Sequence, residues 1–225
     1  MSPIFALLSE APDGPFRPGD IAAVKPIQPS SGSSGQPVDR IRLHDGRFFI
    51  LKTRCEASEV RATLLAAELG VAPPTRALGE GAFLQVSLPG APLARRWRAG
   101  TSPQDLGVGL ATMLQTLHAA RLVYIDSLVR HLYPDPQGGW RLIDYGTALV
   151  LDDPEGPRAE VEAWLRTSPD SRAAGVSGSL AYLARLHDWR VWRNELRDAR
   201  RPLMWPGDRR AAVAAFEARY PRPEE

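Results

Sequence analysis

The residues able to do chemistry in this chain are few and unevenly placed. Of its 28 basic residues only Lys25 and Lys52 are lysines. Lys52 closes the apolar run FFIL in RFFILKT, so a strand there carries its ammonium at the strand end, where a point charge can meet a phosphate. The alternative is a surface lysine whose stem lies on apolar neighbours. Glu59 follows within a run of good helix formers, and a carboxylate on a neighbouring helix can hold a lysine in place. Glu56 and Glu68 compete for that role, and Glu59 also suits a first helical turn. Asp126 and Asp144 each follow a short apolar stretch, LVYI and LI, with the turn-forming pair Gly138-Gly139 between them. A hairpin there brings both carboxylates to one edge. One can then accept a proton from an attacking hydroxyl while the other holds a divalent ion beside phosphates. Taken singly, each reads more simply as a turn or capping aspartate. The segment SSGSSG, residues 30–35, sits between two strand-like stretches. Its backbone N–H groups can approach phosphate closely, although its composition alone is that of a linker.

These residues need elements to position them. Residues 1–19 are rich in proline and glycine and read as an irregular arm. IAAVKPIQ (21–28), PVDRIRLH (37–44) and RFFILKT (47–53) read as strands, the last two joined by a two-residue turn at Asp45-Gly46. EASEVRATLLAAEL (56–69) carries Val60, Leu64, Leu65 and Leu69 at helical spacing and stops at Gly70 and Pro73-Pro74. TRALGEGAFLQVSL (75–88) reads as a hairpin turning at Gly79–Gly81, and Pro89-Gly90 marks a boundary. Ser102-Pro103 then opens a long helix with Leu106, Leu110, Met113, Leu114 and Leu117 on one face. RLVYID (121–126) is a short apolar segment, 138–151 contains a turn and a strand, and 157–220 is helical in pattern. Strands come first and helices later, so the expected fold is α+β. A sheet-rich N-lobe spans residues 1–88 and a helical C-lobe spans 89–225.

Composition narrows the function classes. The chain has 225 residues, 44% hydrophobic and 24% charged, the balance of a globular protein. Apolar runs are too short to span a membrane, and the first residues lack a secretory pattern, so a soluble, cytoplasmic protein is expected. A single cysteine, Cys55, excludes an internal disulfide and reads as a small buried hydrophobe. The four histidines lack metal-ligand spacing, which argues against a structural zinc, and His118 reads as a helix C-cap. A net charge of +2 does not point to nucleic acid. HDWRVWRNELRDARR (187–201) mixes arginine with Trp189 and Trp192 and reads as an amphipathic helix with a solvated basic face. The tryptophans of the last third read as core anchors.

In order and spacing, residues 21–151 resemble the protein-kinase-like fold, and most closely the compact HipA-like kinases. Aminoglycoside-phosphotransferase-like and RIO-like kinases are near alternatives. GSSGQPVDRIRLHDGRFFILKT is similar to a glycine-rich loop, a strand, a tight turn and the strand of the ATP-binding lysine. YIDSLVRH resembles the catalytic loop, and LIDYGTAL the metal-binding segment. The resemblance implies a bilobal, ATP-dependent kinase with Mg²⁺, or Mn²⁺ in its place. Gly32, Ser33, Ser34 and Gly35 then cover the phosphates. Lys52, paired with Glu59, contacts them, Asp126 is the catalytic aspartate and Asp144 the metal ligand. His131 stands where the family has a metal-binding asparagine, and the only asparagine of the chain is Asn194. FLQVSL implies a hinge, with Gln85, Val86 and Ser87 offering backbone groups to adenine. The implied partners are ATP, a phosphoryl acceptor (protein Ser/Thr before a small molecule) and a regulatory protein. The substitution at His131 keeps open a second expectation: a pseudokinase that binds nucleotide, or a partner protein, without phosphoryl transfer.

Overall fold

The computed structural model describes residues 16–27, 36–79, 81–90, 102–125, 129–135, 138–153, 158–167, 178–197 and 206–224. The chain is a mixed α/β protein, with a five-stranded antiparallel sheet and five α-helices among the described residues. It divides into two compact units, Met1–Leu88 and Pro89–Glu225. No helix among the described residues is long and apolar enough to cross a membrane.

The first unit is built on strands β1 (Ile21–Ile27), β2 (Val38–Leu43), β3 (Phe48–Thr53), β4 (Thr75–Ala77) and β5 (Ala82–Val86), in the order β1-β2-β3-β5-β4. Side chains alternate across a strand, so each strand feeds two faces. Ile41 and Leu43 of β2, Phe49 and Leu51 of β3, and Ala82 and Leu84 of β5 form one buried cluster, closed by Phe16 and Leu78. Burying each large aliphatic or aromatic side chain of this set contributes about 1.5–3 kcal/mol. The other face belongs to helix α1 (Ala57–Glu68), whose Val60 packs with Cys55 and Phe83. Lys52 is paired in register with Phe83 and therefore lies on the helix side. Cys55 is buried and free.

The β2–β3 connection is not the two-residue turn that Asp45-Gly46 suggests. Gly46 N–H donates to Leu43 O, and Leu43 N–H donates to Arg47 O at 2.9 Å, so the loop is longer and bulged. Gly46 takes the positive φ (87°) that such a bulge requires. The Asp45 carboxylate accepts from Arg47 N–H at 2.9 Å and from its guanidinium, which holds the Asp45 pKa below the ordinary range.

The second unit opens with helix α2 (Pro103–Ala119), where Ser102 Oγ accepts from Asp105 N–H at 3.0 Å and Pro103 occupies the first turn. Short strands β6 (Leu122–Val123) and β9 (Leu149–Val150) pair with each other, as do β7 (Leu132–Pro134) and β8 (Trp140–Leu142). Gly138 and Gly139, both at positive φ, turn the β7–β8 hairpin. Helices α3 (Arg158–Thr167), α4 (Leu180–Arg197) and α5 (Pro206–Arg219) complete the unit. Trp189 and Trp192 are buried, as core anchors should be, but Trp164 is exposed and meets the His187 ring edge-on. Trp205 lies outside the described residues.

Helices α2 and α5 touch backbone to backbone at Gly107. A Cβ there would stand 2.2 Å from Ala212 O, an approach only glycine permits. Gly107→Ala should therefore destabilise the protein by about 1–3 kcal/mol, as overpacking of a tight contact does. An unchanged denaturation midpoint would exclude this contact.

Candidate functional site

The first unit positions Lys52 and Glu59. Glu59 lies in the first turn of α1, buried against the sheet, and Lys52 lies near the end of β3 on the same face. Lys52 Nζ donates to Glu59 Oε1, with the two side chains only 13% and 2% exposed. The other carboxylate oxygen, Glu59 Oε2, is buried with no hydrogen-bond partner among the described residues. A buried carboxylate of this kind needs its cation, so the pair fixes the lysine while limiting its freedom to move. Of the competing acids, Glu56 is the residue preceding α1 and Glu68 ends it.

Gln85 and Val86 are the last residues of β5, and Ser87 follows. Val86 N–H donates to Pro74 O at 2.9 Å and Ser87 N–H to Phe48 O at 3.0 Å. The Gln85 side chain donates to Thr75 Oγ1 at 2.9 Å. The N–H groups of Val86 and Ser87 are thus already used within the sheet, and adenine could reach them only by breaking those bonds. The remaining sequence candidates, Gly32, Ser33, Ser34, Gly35 and Asp126, lie outside the described residues.

The second unit brings Tyr124, His131, Asp144 and Tyr145 together. Asp144 follows β8 and is half exposed, with a left-handed backbone (φ 68°). Ile143 N–H donates to His131 O at 3.0 Å, which ties the Asp144 segment to the turn carrying His131. His131 Nε2 is 3.8 Å from Asp144 Oδ2. The Tyr124 hydroxyl donates to Ile143 O, so it accepts from His131 Nδ1 at 3.0 Å. That tautomer leaves Nε2 as the acceptor, and Arg130 Nε donates to it at 3.2 Å. The Tyr145 ring packs edge-on against Tyr124 with centroids 5.2 Å apart. Burial pushes the Tyr145 phenol pKa far up, so it stays neutral.

A carboxylate invisible to motif reasoning organises this cluster. Asp188 of α4 is fully buried. Its Oδ2 accepts from Tyr124 N–H at 2.7 Å and from His118 Nε2 at 3.1 Å, and its Oδ1 accepts from Ile125 N–H at 2.7 Å. His187 Nε2 lies 3.3 Å from Ile125 O. Ile125, immediately before Asp126, has φ 67°, a conformation that costs a β-branched residue of order 1–3 kcal/mol. His118 is not a helix cap: its ring bridges Asp188 and the Tyr220 hydroxyl, 2.7 Å from Nδ1. The one signal for Asp188 in the sequence is an acid at core spacing, between Ala184 and Trp192 on the buried stripe of α4.

A divalent ion held by protein alone does not fit here. No group of three or more His, Cys, Asp or Glu that could hold a metal occurs among the described residues. The His131 lone pair is also already engaged by Arg130. Asp144 does fit the usual magnesium arrangement, in which one or two carboxylates share the ion with phosphate oxygens and waters. No protein-family model and no curated protein matches the chain.

Asp188→Ala removes the acceptor for two amides and an imidazole. It should cost about 3–5 kcal/mol, the penalty for breaking a buried charge network. Asp188→Asn keeps the shape but places N–H₂ against donors, so it should also lose stability. Urea denaturation of both variants tests this, and wild-type midpoints would exclude the buried network.

Proposed function

We propose that the protein is an ATP-dependent phosphotransferase of the bilobal protein-kinase-like kind, transferring the γ-phosphoryl group to a hydroxyl, with protein Ser/Thr preferred over a small molecule as acceptor. The observation that carries the proposal is the Lys52–Glu59 pair, joining the third strand of an antiparallel sheet to the helix that follows it. A scarce lysine buried against a carboxylate is an unusual structural device and a usual way to present a fixed ammonium to phosphates. Further support comes from Asp144, half exposed two residues past β8, and from the fixed backbone leading into Asp126.

Each residue then has a defined task. Lys52 neutralises charge on the α- and β-phosphates. Asp144 would hold Mg²⁺, or Mn²⁺ in its place, and the ion would supply charge neutralisation to the nucleotide phosphates. Asp126 orients the acceptor hydroxyl and takes its proton as the new oxygen–phosphorus bond forms and the bond to the β-phosphate oxygen breaks. Gly32, Ser33, Ser34 and Gly35 cover the phosphates with backbone N–H groups. The engaged His131 nitrogen favours one second reading, a nucleotide-binding pseudokinase, because His131 then does not join Asp144 as a second ligand.

Thermal unfolding with millimolar ATP, with and without Mg²⁺ or Mn²⁺, tests the proposal on wild type, Lys52→Ala and Asp144→Asn. A ligand at a hundred times its dissociation constant stabilises by about 2.7 kcal/mol, a shift of several degrees for a chain of this size. A metal-dependent shift is expected in wild type and absent in both variants, each compared with its own ligand-free midpoint. Transfer of labelled γ-phosphate to a Ser/Thr peptide mixture or to the protein itself should follow. Binding without transfer would select the pseudokinase, and no wild-type shift would overturn both readings.

A further inference from the structure

Strand register places the other lysine of the chain, Lys25, as firmly as it places Lys52. Val38 is paired with Lys52, so Arg40 and Arg42, two and four residues further along β2, share the Lys52 face of the sheet. Lys25 of β1 is paired directly with Arg40 and lies on that face too. All three cations are exposed, and none makes an ion pair among the described residues. The nearby acids are turned elsewhere. Asp39 is paired with Leu51 on the other face, Asp45 is bonded to Arg47, and the Asp20 carboxylate accepts from Arg17 N–H at 2.7 Å. Glu59 belongs to Lys52.

Like charges directly opposite on neighbouring strands are destabilising, so an anion that settles between Lys25 and Arg40 removes a repulsion. Arg40 is held ready for one. Its guanidinium carbon stands over the Phe48 ring, 4.2 Å from the centroid, and stacking fixes the planar fork while leaving its N–H edges to an acceptor. The three cations are spread over an open face, with Arg40 and Arg42 about 7 Å apart along β2. An extended polypeptide repeats its side chains at the same spacing. Acids at alternate positions therefore meet Arg40 and Arg42 together, and a carboxylate takes a guanidinium fork bidentately. Ile27, two residues beyond Lys25 on the same face, is 42% exposed and offers an apolar partner side chain something to cover.

We infer that this part of the first unit docks an acidic polypeptide segment in extended form, with carboxylates at alternate positions and an apolar residue beside them. Nucleic acid fits worse, because a single strand needs free aromatic faces for stacking and the Phe48 ring is covered by Arg40. An anionic membrane is read by clusters of about four to eight basic residues, more than stand here. The segment lies across the face instead of extending the sheet: β1 is the edge strand, and Pro26 within it has no N–H to offer a new strand. The inference is independent of the phosphotransferase proposal, because Lys25, Arg40 and Arg42 are outside the Lys52, Asp126 and Asp144 set.

Fluorescence anisotropy on the full chain tests it, without nucleotide or metal, at about 0.05 M salt, where surface charges are little screened. The probe is a labelled peptide alternating glutamate and threonine, with leucine at one end. Saturable binding is expected, weakened about tenfold or more in Lys25→Gln/Arg40→Gln and when glutamine replaces glutamate in the peptide. Arg197→Gln/Arg222→Gln removes the same charge from the second unit and should bind as wild type does. Lys25→Gln alone relieves the like-charge pair, so its ligand-free melting point should equal or exceed that of wild type. A lower melting point would mean that the fold itself neutralises Lys25, and would overturn the inference. So would absence of saturable binding at millimolar peptide, equal binding by Lys25→Gln/Arg40→Gln, or a matching loss in the second-unit variant. Tighter binding of a single-stranded oligonucleotide, or of phosphatidylserine vesicles, would overturn it as well. Nucleotide is absent throughout, so this site and the ATP site can fail separately.

Discussion

The second unit depends on one buried carboxylate. Taking a carboxylate out of water costs several kcal/mol unless donors replace the lost hydration. The donors to Asp188 include the amides of Tyr124 and Ile125 and the ring of His118. Those bonds connect α4 to the segment after β6 and to the end of α2, and through Tyr220 they reach the C-terminal residues. They also explain why Ile125 can hold a left-handed backbone. With Asp188 on its amide and His187 beside its carbonyl, the strained peptide is fixed from both sides. Whatever Asp126 does, the chain entering it is set by a helix far along the sequence.

In the first unit the comparable constraint is register. The period of a strand is two, so Phe49 and Leu51 go to one face and Lys52 to the other. A slip of one residue would drive the ammonium into the Ile41–Leu43–Leu84 cluster and turn Phe49 and Leu51 out of it toward the helix side. The apolar pattern that stabilises the sheet therefore also delivers Lys52 to Glu59. Stability and placement of the cation are one requirement here.

Much of this arrangement is legible in the residues, and the failures have a common cause. β2, β3 and α1 fall within a residue or so of the spans expected from alternation and helical spacing, because those patterns are local. The contact between Lys52 and Glu59 is legible because the strand end and the first helical turn are joined by only a few residues. His118 reads locally as a helix cap because its partners, Asp188 and Tyr220, are 70 and 102 positions away. Asp188 is hidden for the same reason: a single acid on a basic helix reads as solvated until the donors packed against it are known. Asp45-Gly46 misleads at short range, since the dipeptide suits a two-residue turn while Gly46 serves a bulged one.

The proposed phosphate chemistry asks each unit for a different group, and each unit fixes its own by local constraints. At Lys52 a compact ammonium stands opposite a buried carboxylate, placed there by strand register. The half-exposed Asp144 follows Ile143, whose N–H donates to His131 O, so the bond between the two segments sets where that carboxylate begins. On the proposal an ion arriving with its phosphates would meet Asp144 while the ammonium met the same phosphates, and a change in either local constraint would remove one partner and leave the other in place.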